Sequence, residues 1–188
     1  MKLNAKETCL IVIDMLNDFV RKDGALVVQN AEGLIPFQNQ ILLSARDAGI
    51  RVIYLADNHE PNDDEFEKWP AHAIVGTKGS KIIDELKPLK DEKILPKRRY
   101  SGFFGTDLDL RLRENGIKTI ILVGVLTDIC VMYTSADASA RGYEVIVIKD
   151  ATDSNSTRNH EFAIEHMKSV HGALIMTTNE ITDMLNSL

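Results

Sequence analysis

Cysteine is scarce in this chain, since Cys9 and Cys130 are the only two among 188 residues. Two thiols so far apart cannot build the dense disulfide framework of a small secreted domain. Tracts rich in proline, glycine and serine are also missing, and the five prolines are spread along the chain. Because nothing marks a linker or a domain boundary, we predict a single domain over residues 1–188.

Long apolar runs and an excess of positive charge are absent as well. No segment approaches the roughly 20 apolar residues that a membrane-spanning helix needs, and residues 1–8 are polar and charged, unlike a signal peptide. Lys and Arg number 22 against 28 Asp and Glu, which gives a net charge of −6 and disfavours polyanionic partners. We therefore expect a soluble, cytoplasmic protein that binds neither nucleic acid nor membranes.

Short apolar runs rich in branched residues recur along the chain and predict buried strands. The runs are 9–13, 51–56, 93–96, 119–123, 144–148 and 172–176. Helical spacing occupies 35–48, 107–115 and 128–141, and each of these segments is followed by a glycine, as is typical of helix ends. The alternation of strands and helices predicts a three-layer α/β/α sandwich with a mainly parallel, Rossmann-like sheet of six strands.

Reactive side chains follow four of the predicted strands. Asp14 comes after the first, Asp57 and His59 end the second, Lys97 ends the third, and Cys130 follows the fourth. Ligands of parallel sheets bind at the carboxyl ends of the strands. We therefore expect these side chains to face one edge of the sheet.

Cys130 begins a predicted helix, where the helix dipole favours the thiolate form of a nucleophile. Cys9 lies within a predicted strand, which is typical of a buried structural cysteine. Asp14 would serve as the base for a nucleophilic thiol if burial raises its pKa, although a strand-end Asp is often only a turn residue. Lys97 would hold the charges of both groups in place, although a lysine before two arginines is more commonly a surface charge.

The order of these residues resembles the isochorismatase-like cysteine hydrolases, and within them the nicotinamidases. The matching segments are Val12-Ile13-Asp14 with Asp18-Phe19, Asp57-x-His59, Trp69-Pro-x-His72 with Gly76-Thr77, Lys97-x-x-Tyr100-Ser-x-Phe103, and Gly124-Val-x-Thr-Asp-x-Cys130. The resemblance covers nearly the whole chain and implies an isochorismatase-like hydrolase fold, an Asp14/Lys97/Cys130 triad and a thioester acyl-enzyme. It also implies an oxyanion hole made by the backbone N–H groups of Leu126 and Cys130, with a cis peptide bond between Val125 and Leu126.

A divalent metal site is implied by the same resemblance, with Asp57, His59 and His72 as ligands and Glu65 completing the set. Carboxylates with two imidazoles suit zinc, iron or manganese, among which we favour zinc. Read without the resemblance, Asp57 and His59 would cap a turn, and the acidic residues between 63 and 67 would form a solvated surface.

Phe19 and Trp69 are implied as aromatic walls around a flat substrate ring, whereas Tyr100, Phe103 and Tyr133 are given no role. Read alone, either wall residue would be a core aromatic. The loop 152–157 is polar and is expected to follow the fifth strand.

The activity implied by the resemblance is hydrolysis of nicotinamide to nicotinate and ammonia. The loop after His59 is shorter and more acidic than in many nicotinamidases. The substrate therefore stays open, and the alternatives are a carbamoyl hydrolase similar to N-carbamoylsarcosine amidase or ureidoacrylate amidohydrolase, and a non-catalytic protein that binds a small molecule. The expected partner is a small amide. The resemblance also implies a homo-oligomer, a dimer or a tetramer, because the family often forms them, although a small α/β domain could equally be monomeric.

Overall fold

Six parallel strands form one sheet in the computed structural model, which describes residues 3–188. The strands are β1 (Thr8–Ile13), β2 (Arg51–Asp57), β3 (Lys93–Lys97), β4 (Thr119–Val125), β5 (Glu144–Asp153) and β6 (Leu174–Met176). Their order in the sheet is β3-β2-β1-β4-β5-β6, and every neighbouring pair is parallel. The six predicted strands are confirmed. Met1 and Lys2, which begin the predicted polar N-terminal segment, lie outside the described residues.

Helices connect the strands. They are α1 (Asn17–Val20), α2 (Ile35–Asp47), α3 (Leu108–Glu114), α4 (Met132–Ala140), α5 (Thr157–Ser169) and α6 (Thr178–Asn186). The glycines that follow α2, α3 and α4 have φ between 65° and 82°, the left-handed conformation that ends many helices. No helix in residues 3–188 has the length and apolar character needed to cross a membrane.

The two faces of the sheet carry separate apolar cores. Leu10 and Val12 of β1 point into a core shared with α2 and α6, whereas Ile11 and Ile13 point into one shared with α3, α4 and α5. A strand that is buried on both faces needs apolar residues at every position, and β1 is buried throughout. The predicted three-layer α/β/α sandwich is therefore confirmed.

The carboxyl ends of β1 and β4 approach each other closely at Gly124. A Cβ atom on this residue would lie 2.0 Å from the carbonyl oxygen of Ile13, and its φ of 117° also favours glycine. The pairing of β4 with β5 shifts register between Leu122 and Gly124. Glycine at this position lets the segment leading to Cys130 pass directly beside Asp14.

The predicted polar loop 152–157 is shorter in the structure. Thr152 and Asp153 belong to β5, which continues beyond the predicted end at residue 148, and Thr157 already begins α5. The strand continues because β4 pairs with it again after the register shift, at Gly124 with Thr152 and Val125 with Asp153. Only residues 154–156 connect the two elements.

Candidate active site

Three strand ends and the turn after β4 bring the predicted catalytic side chains together. Asp14 directly follows β1, Asp57 and Lys97 are the last residues of β2 and β3, and Cys130 lies in the turn after β4. The Nζ atom of Lys97 lies 2.8 Å from Asp14 Oδ2, 2.5 Å from Asp57 Oδ1 and 3.5 Å from Cys130 Sγ. The lysine ammonium is therefore the centre of the cluster.

Hydrogen bonds to β2 fix the position of Asp14. Its backbone N–H donates to the carbonyl of Leu55 at 2.9 Å, and its Oδ1 accepts from the N–H of Asp57 at 2.9 Å. The φ of Asp14 is 55°, a left-handed conformation that few residues other than glycine adopt. Such a conformation persists only where the surrounding structure holds it, and it is common at functional sites.

The charged groups of this cluster are buried, and burial sets their proton affinities. Burial raises the pKa of Asp14 to about 6, the charge of Asp57 raises it too, and Lys97 opposes both. Burial by itself would lower the pKa of Lys97, but Asp14 and Asp57 raise it well above its usual value. Burial would raise the pKa of Asp57, yet Lys97 and the neighbouring histidines hold it well below its usual range. Lys97 is therefore cationic and shared by two carboxyl groups.

Cys130 lies in a π-helical turn, Thr127–Val131, rather than at the start of an α-helix. Burial raises the pKa of its thiol well above the usual value, and Lys97 only partly opposes this. The expectation that helix position favours a thiolate is wrong for the free protein, because loss of solvation outweighs the cation. The contacts with Asp14 and Lys97 distinguish Cys130 from Cys9, whose pKa burial raises to about 12.

Asp57, His59 and His72 form a group that could hold a metal ion. One ligand atom from each lies within 4.8 Å of the others, and the Nε2 atoms of His59 and His72 are 3.6 Å and 3.8 Å from Asp57 Oδ2. The Nδ1–H of His72 donates to the carbonyl of Pro70 at 2.7 Å, which leaves Nε2 free. The Nε2 of His59 is buried without a hydrogen-bond partner among the described residues. Two free imidazole nitrogens beside a carboxylate fit a divalent cation.

Glu65, the fourth predicted ligand, lies beside this group but is not part of it. It belongs to the short helical turn Asp64–Glu67 and lines the same cavity. Its carboxylate is 3.7 Å from Arg99 Nη1. Among residues 3–188 the structure thus groups Asp57, His59 and His72 within 4.8 Å, and the role of Glu65 as a fourth ligand stays a prediction.

Asp63 is a member of this site that the sequence analysis missed. Its side chain is fully buried, and its Oδ2 is 3.2 Å from Nδ1 of His59. The neighbouring Asp64 is exposed, as expected for a solvated acidic segment. The spacing of four residues between His59 and Asp63 was the only sequence signal for this contact.

Aromatic side chains form the walls of a cavity that opens onto Cys130. Phe19 is buried with its ring centroid 5.3 Å from that of His72, and the half-buried Trp69 donates from Nε1 to the Tyr100 hydroxyl at 3.0 Å. Phe19, Trp69 and Tyr100 all line the cavity, whereas Phe103 packs in the core below. Both predicted wall residues therefore line this cavity.

The rest of the lining is mostly apolar or acidic, and His72, Cys130 and Asn155 are the exceptions. The remaining cavity residues are Asp14, Leu26, Val28, Asp57, Glu65, His72, Val125, Leu126, Ile129, Cys130 and Asn155. Neither lysine nor arginine is among the described residues that line it. The peptide bond between Val125 and Leu126 is cis, which confirms that expectation. The described lining therefore combines apolar walls with the polar groups next to Cys130.

The isochorismatase domain family matches residues 8–180 of this chain. The chain belongs to the isochorismatase family. Members of this family hydrolyse C–N bonds other than peptide bonds. This isochorismatase-family protein is accordingly an amidohydrolase that acts on small amides.

Solved structures of several family members superimpose closely on this one. A pyrazinamidase/nicotinamidase from Streptococcus mutans is 39% identical, with a TM-score of 0.86 over 90% of this chain and 99% of that one. N-carbamoylsarcosine amidase from Thermoplasma acidophilum is 36% identical, with a TM-score of 0.85 over 92% and 97%. The pyrazinamidase of Pyrococcus horikoshii, solved in complex with zinc, is 34% identical, with a TM-score of 0.86 over 91% and 99%.

Proposed function

We propose that this amidohydrolase converts nicotinamide and water to nicotinate and ammonia. The observation that carries the proposal is that Asp57 belongs both to the group with His59 and His72 and to the cluster around Lys97, at 2.5 Å from its Nζ. A group of side chains that could hold a cation therefore adjoins the proposed nucleophile at a cavity with aromatic walls. Nicotinamide carries a ring nitrogen and an amide on one flat ring, which matches two adjacent sites of this kind.

Acylation begins with Cys130. Its sulfur attacks the amide carbonyl carbon and forms the C–S bond, while Asp14 accepts the thiol proton. Asp14 then donates this proton to the amide nitrogen, the C–N bond breaks and ammonia leaves. A carboxyl group whose pKa is about 6 suits both transfers near neutral pH. Lys97 keeps Asp14 in position and supplies positive charge next to the sulfur.

Water completes the cycle by attacking the thioester carbonyl. Asp14 accepts a proton from this water and returns it to Cys130 as the C–S bond breaks and nicotinate forms. In both steps we assign the backbone N–H groups of Leu126 and Cys130 to the negatively charged carbonyl oxygen. Such donors contribute about 3 kcal/mol each to acyl transfer.

Asp57, His59 and His72 would hold the divalent ion, for which we propose zinc, with iron or manganese accepted by the same donors. When bound, such an ion supplies a Lewis-acidic position for the ring nitrogen of the substrate. Phe19 and Trp69 would hold the two sides of the ring and thereby orient the amide toward Cys130.

A carbamoyl hydrolase is the second candidate, and the similarity to N-carbamoylsarcosine amidase favours it. N-carbamoylsarcosine and ureidoacrylate each carry a carboxylate. In this cavity that carboxylate would face Asp14, Asp57 and Glu65 without a lining lysine or arginine from the described residues. We favour the neutral ring amide because its binding needs no such cationic side chain in the lining.

Ammonia release from nicotinamide, pyrazinamide, N-carbamoylsarcosine and ureidoacrylate would test the proposal. The protein is assayed after loading with zinc and after treatment with a chelator, and nicotinate is identified by chromatography. We expect turnover of the two ring amides by the zinc-loaded protein and a large loss after chelation. Turnover of the carbamoyl compounds alone would support the second candidate, and no turnover of any of the four compounds would refute both proposed substrates.

A further inference from the structure

We propose that Asp63 is a positioning residue that orients His59 as a metal ligand and strengthens the binding of a divalent cation. The inference rests on the proposed metal site, which it extends by one residue. It concerns the affinity of the site and not the chemistry of the amide.

The two ring nitrogens of His59 face different carboxylates. Oδ2 of Asp63 lies 3.2 Å from Nδ1, and the opposite nitrogen, Nε2, lies 3.6 Å from Asp57 Oδ2. A carboxylate at Nδ1 can only accept, so Nδ1 carries the ring N–H, and Nε2, which faces Asp57, is the nitrogen that would ligate a metal ion. A carboxylate behind a histidine ligand also makes the ligating nitrogen more basic.

Two arginines compensate the charge of the buried Asp63 carboxylate. Arg98 donates to Asp63 Oδ2 from Nε and Nη2 at 2.9 Å and 2.7 Å, and Arg99 donates to Oδ1 from Nη1 at 3.1 Å. A buried carboxylate costs much free energy unless it is paired and hydrogen-bonded. Because Arg98 and Arg99 directly follow Lys97, the end of β3 stabilises the catalytic cluster and the support of His59 together.

His72 offers an internal comparison. Its Nδ1–H donates to the carbonyl of Pro70, a neutral acceptor, whereas His59 has a carboxylate in the same place. Both contacts orient a ring, but only His59 has a carboxylate behind it, which Arg98 and Arg99 hold in place. We therefore expect the charge of Asp63, in addition to its hydrogen bond, to determine metal affinity.

The test compares zinc affinity in Asp63→Asn and Asp64→Asn. Asp63 also accepts the N–H of Glu65 at the start of a helical turn, and asparagine retains that capping ability. Asp64 carries the same charge one residue away and is exposed, so Asp64→Asn controls for the loss of one charge in this segment. The metal-free proteins are compared by circular dichroism, and zinc affinity is measured by competition with a chromophoric chelator.

We expect Asp63→Asn to bind zinc about 10- to 100-fold more weakly than the wild-type protein, and Asp64→Asn to bind within about twofold of it. Asp63→Glu retains the charge and should recover part of the affinity. The visible absorption of the cobalt-loaded proteins reports ligand geometry and should change in Asp63→Asn alone. If Asp63→Asn does not fold, Asp63→Ser takes its place in the comparison, because serine can also accept the N–H of Glu65.

Two failures remain distinguishable. If the wild-type protein binds zinc and Asp63→Asn binds it equally well, the role of Asp63 is refuted while the metal site stands. If the wild-type protein itself binds no divalent cation, the proposed metal site fails and the inference fails with it.

Discussion

The two ends of the sheet carry ion pairs of similar geometry in different surroundings. At the carboxyl end, Lys97 lies 2.8 Å from Asp14 and its side chain is fully buried. At the amino end, where β1 and β4 begin, Lys118 lies 2.5 Å from Glu7 and 70% of its side chain is exposed. Water solvates the pair at the amino end, so its net stabilisation is small.

This difference in burial distinguishes the charges at the candidate active site from ordinary surface charges. A buried ion pair is costly to desolvate and gives weak evidence of stabilisation. Its consequence at the carboxyl end is a set of shifted pKa values around Cys130. Groups with shifted pKa values that meet in a cavity are typical of catalytic sites.

The largest contrast is expected between the two cysteines, which lie at opposite ends of the strands. Cys130→Ala removes the proposed nucleophile and should lower kcat by about 10⁴-fold or more. Cys9→Ala removes a buried thiol from β1 and should leave kcat per folded molecule unchanged, because Cys9 is distant from the cavity. Ammonia release by the zinc-loaded proteins measures both. Hydrolysis by Cys130→Ala at close to the wild-type rate would refute the mechanism.

A second contrast concerns the two lysines. Lys97→Met leaves two buried carboxyl groups without their cation and should reduce the free energy of unfolding by about 3–5 kcal/mol. Lys118→Met removes the exposed pair and should cost at most about 1 kcal/mol. Urea denaturation of the metal-free proteins, followed by circular dichroism, gives both values. An equal decrease in the free energy of unfolding of the two variants would mean that burial does not make the Lys97 ion pairs more important for stability than the exposed Lys118 pair.

The smallest contrast is between two tyrosine hydroxyls. Tyr100→Phe removes the acceptor of the Trp69 indole N–H and should raise KM about 2- to 10-fold, because one hydrogen bond holds this wall. Tyr54→Phe removes a hydroxyl that accepts from Arg46, away from the cavity, and should leave KM unchanged. Trp69 is the only tryptophan, so its fluorescence reports the wall directly. An unaltered KM and emission spectrum in Tyr100→Phe would exclude this role.

Much of the fold could be predicted from sequence because its signals are local. Branched apolar runs marked six strands, and the glycines at 49, 116 and 142 marked three helix ends. The extension of β5 to Asp153 was not predicted, since it depends on a register shift against β4. A shift of this kind is a property of two strands together and leaves no periodic pattern in either one.

The candidate site was only partly predictable. Asp14, Lys97 and Cys130 each follow a recognisable strand, and the structure brings them together as expected. The raised pKa of Cys130 was not expected, because local helix position suggested the opposite. Asp63 looked like one acidic residue among several, although it alone reaches His59 and two arginines.

The sequence by itself determined the order of strands and helices and the chemical types of the side chains at the strand ends. Only the tertiary structure decided which of these groups are buried and which charges face one another. Asp57 and Lys97 are 40 residues apart in the chain and meet because β2 and β3 are neighbours. Desolvation and Coulomb energy depend on such distances in space, and sequence spacing does not encode them.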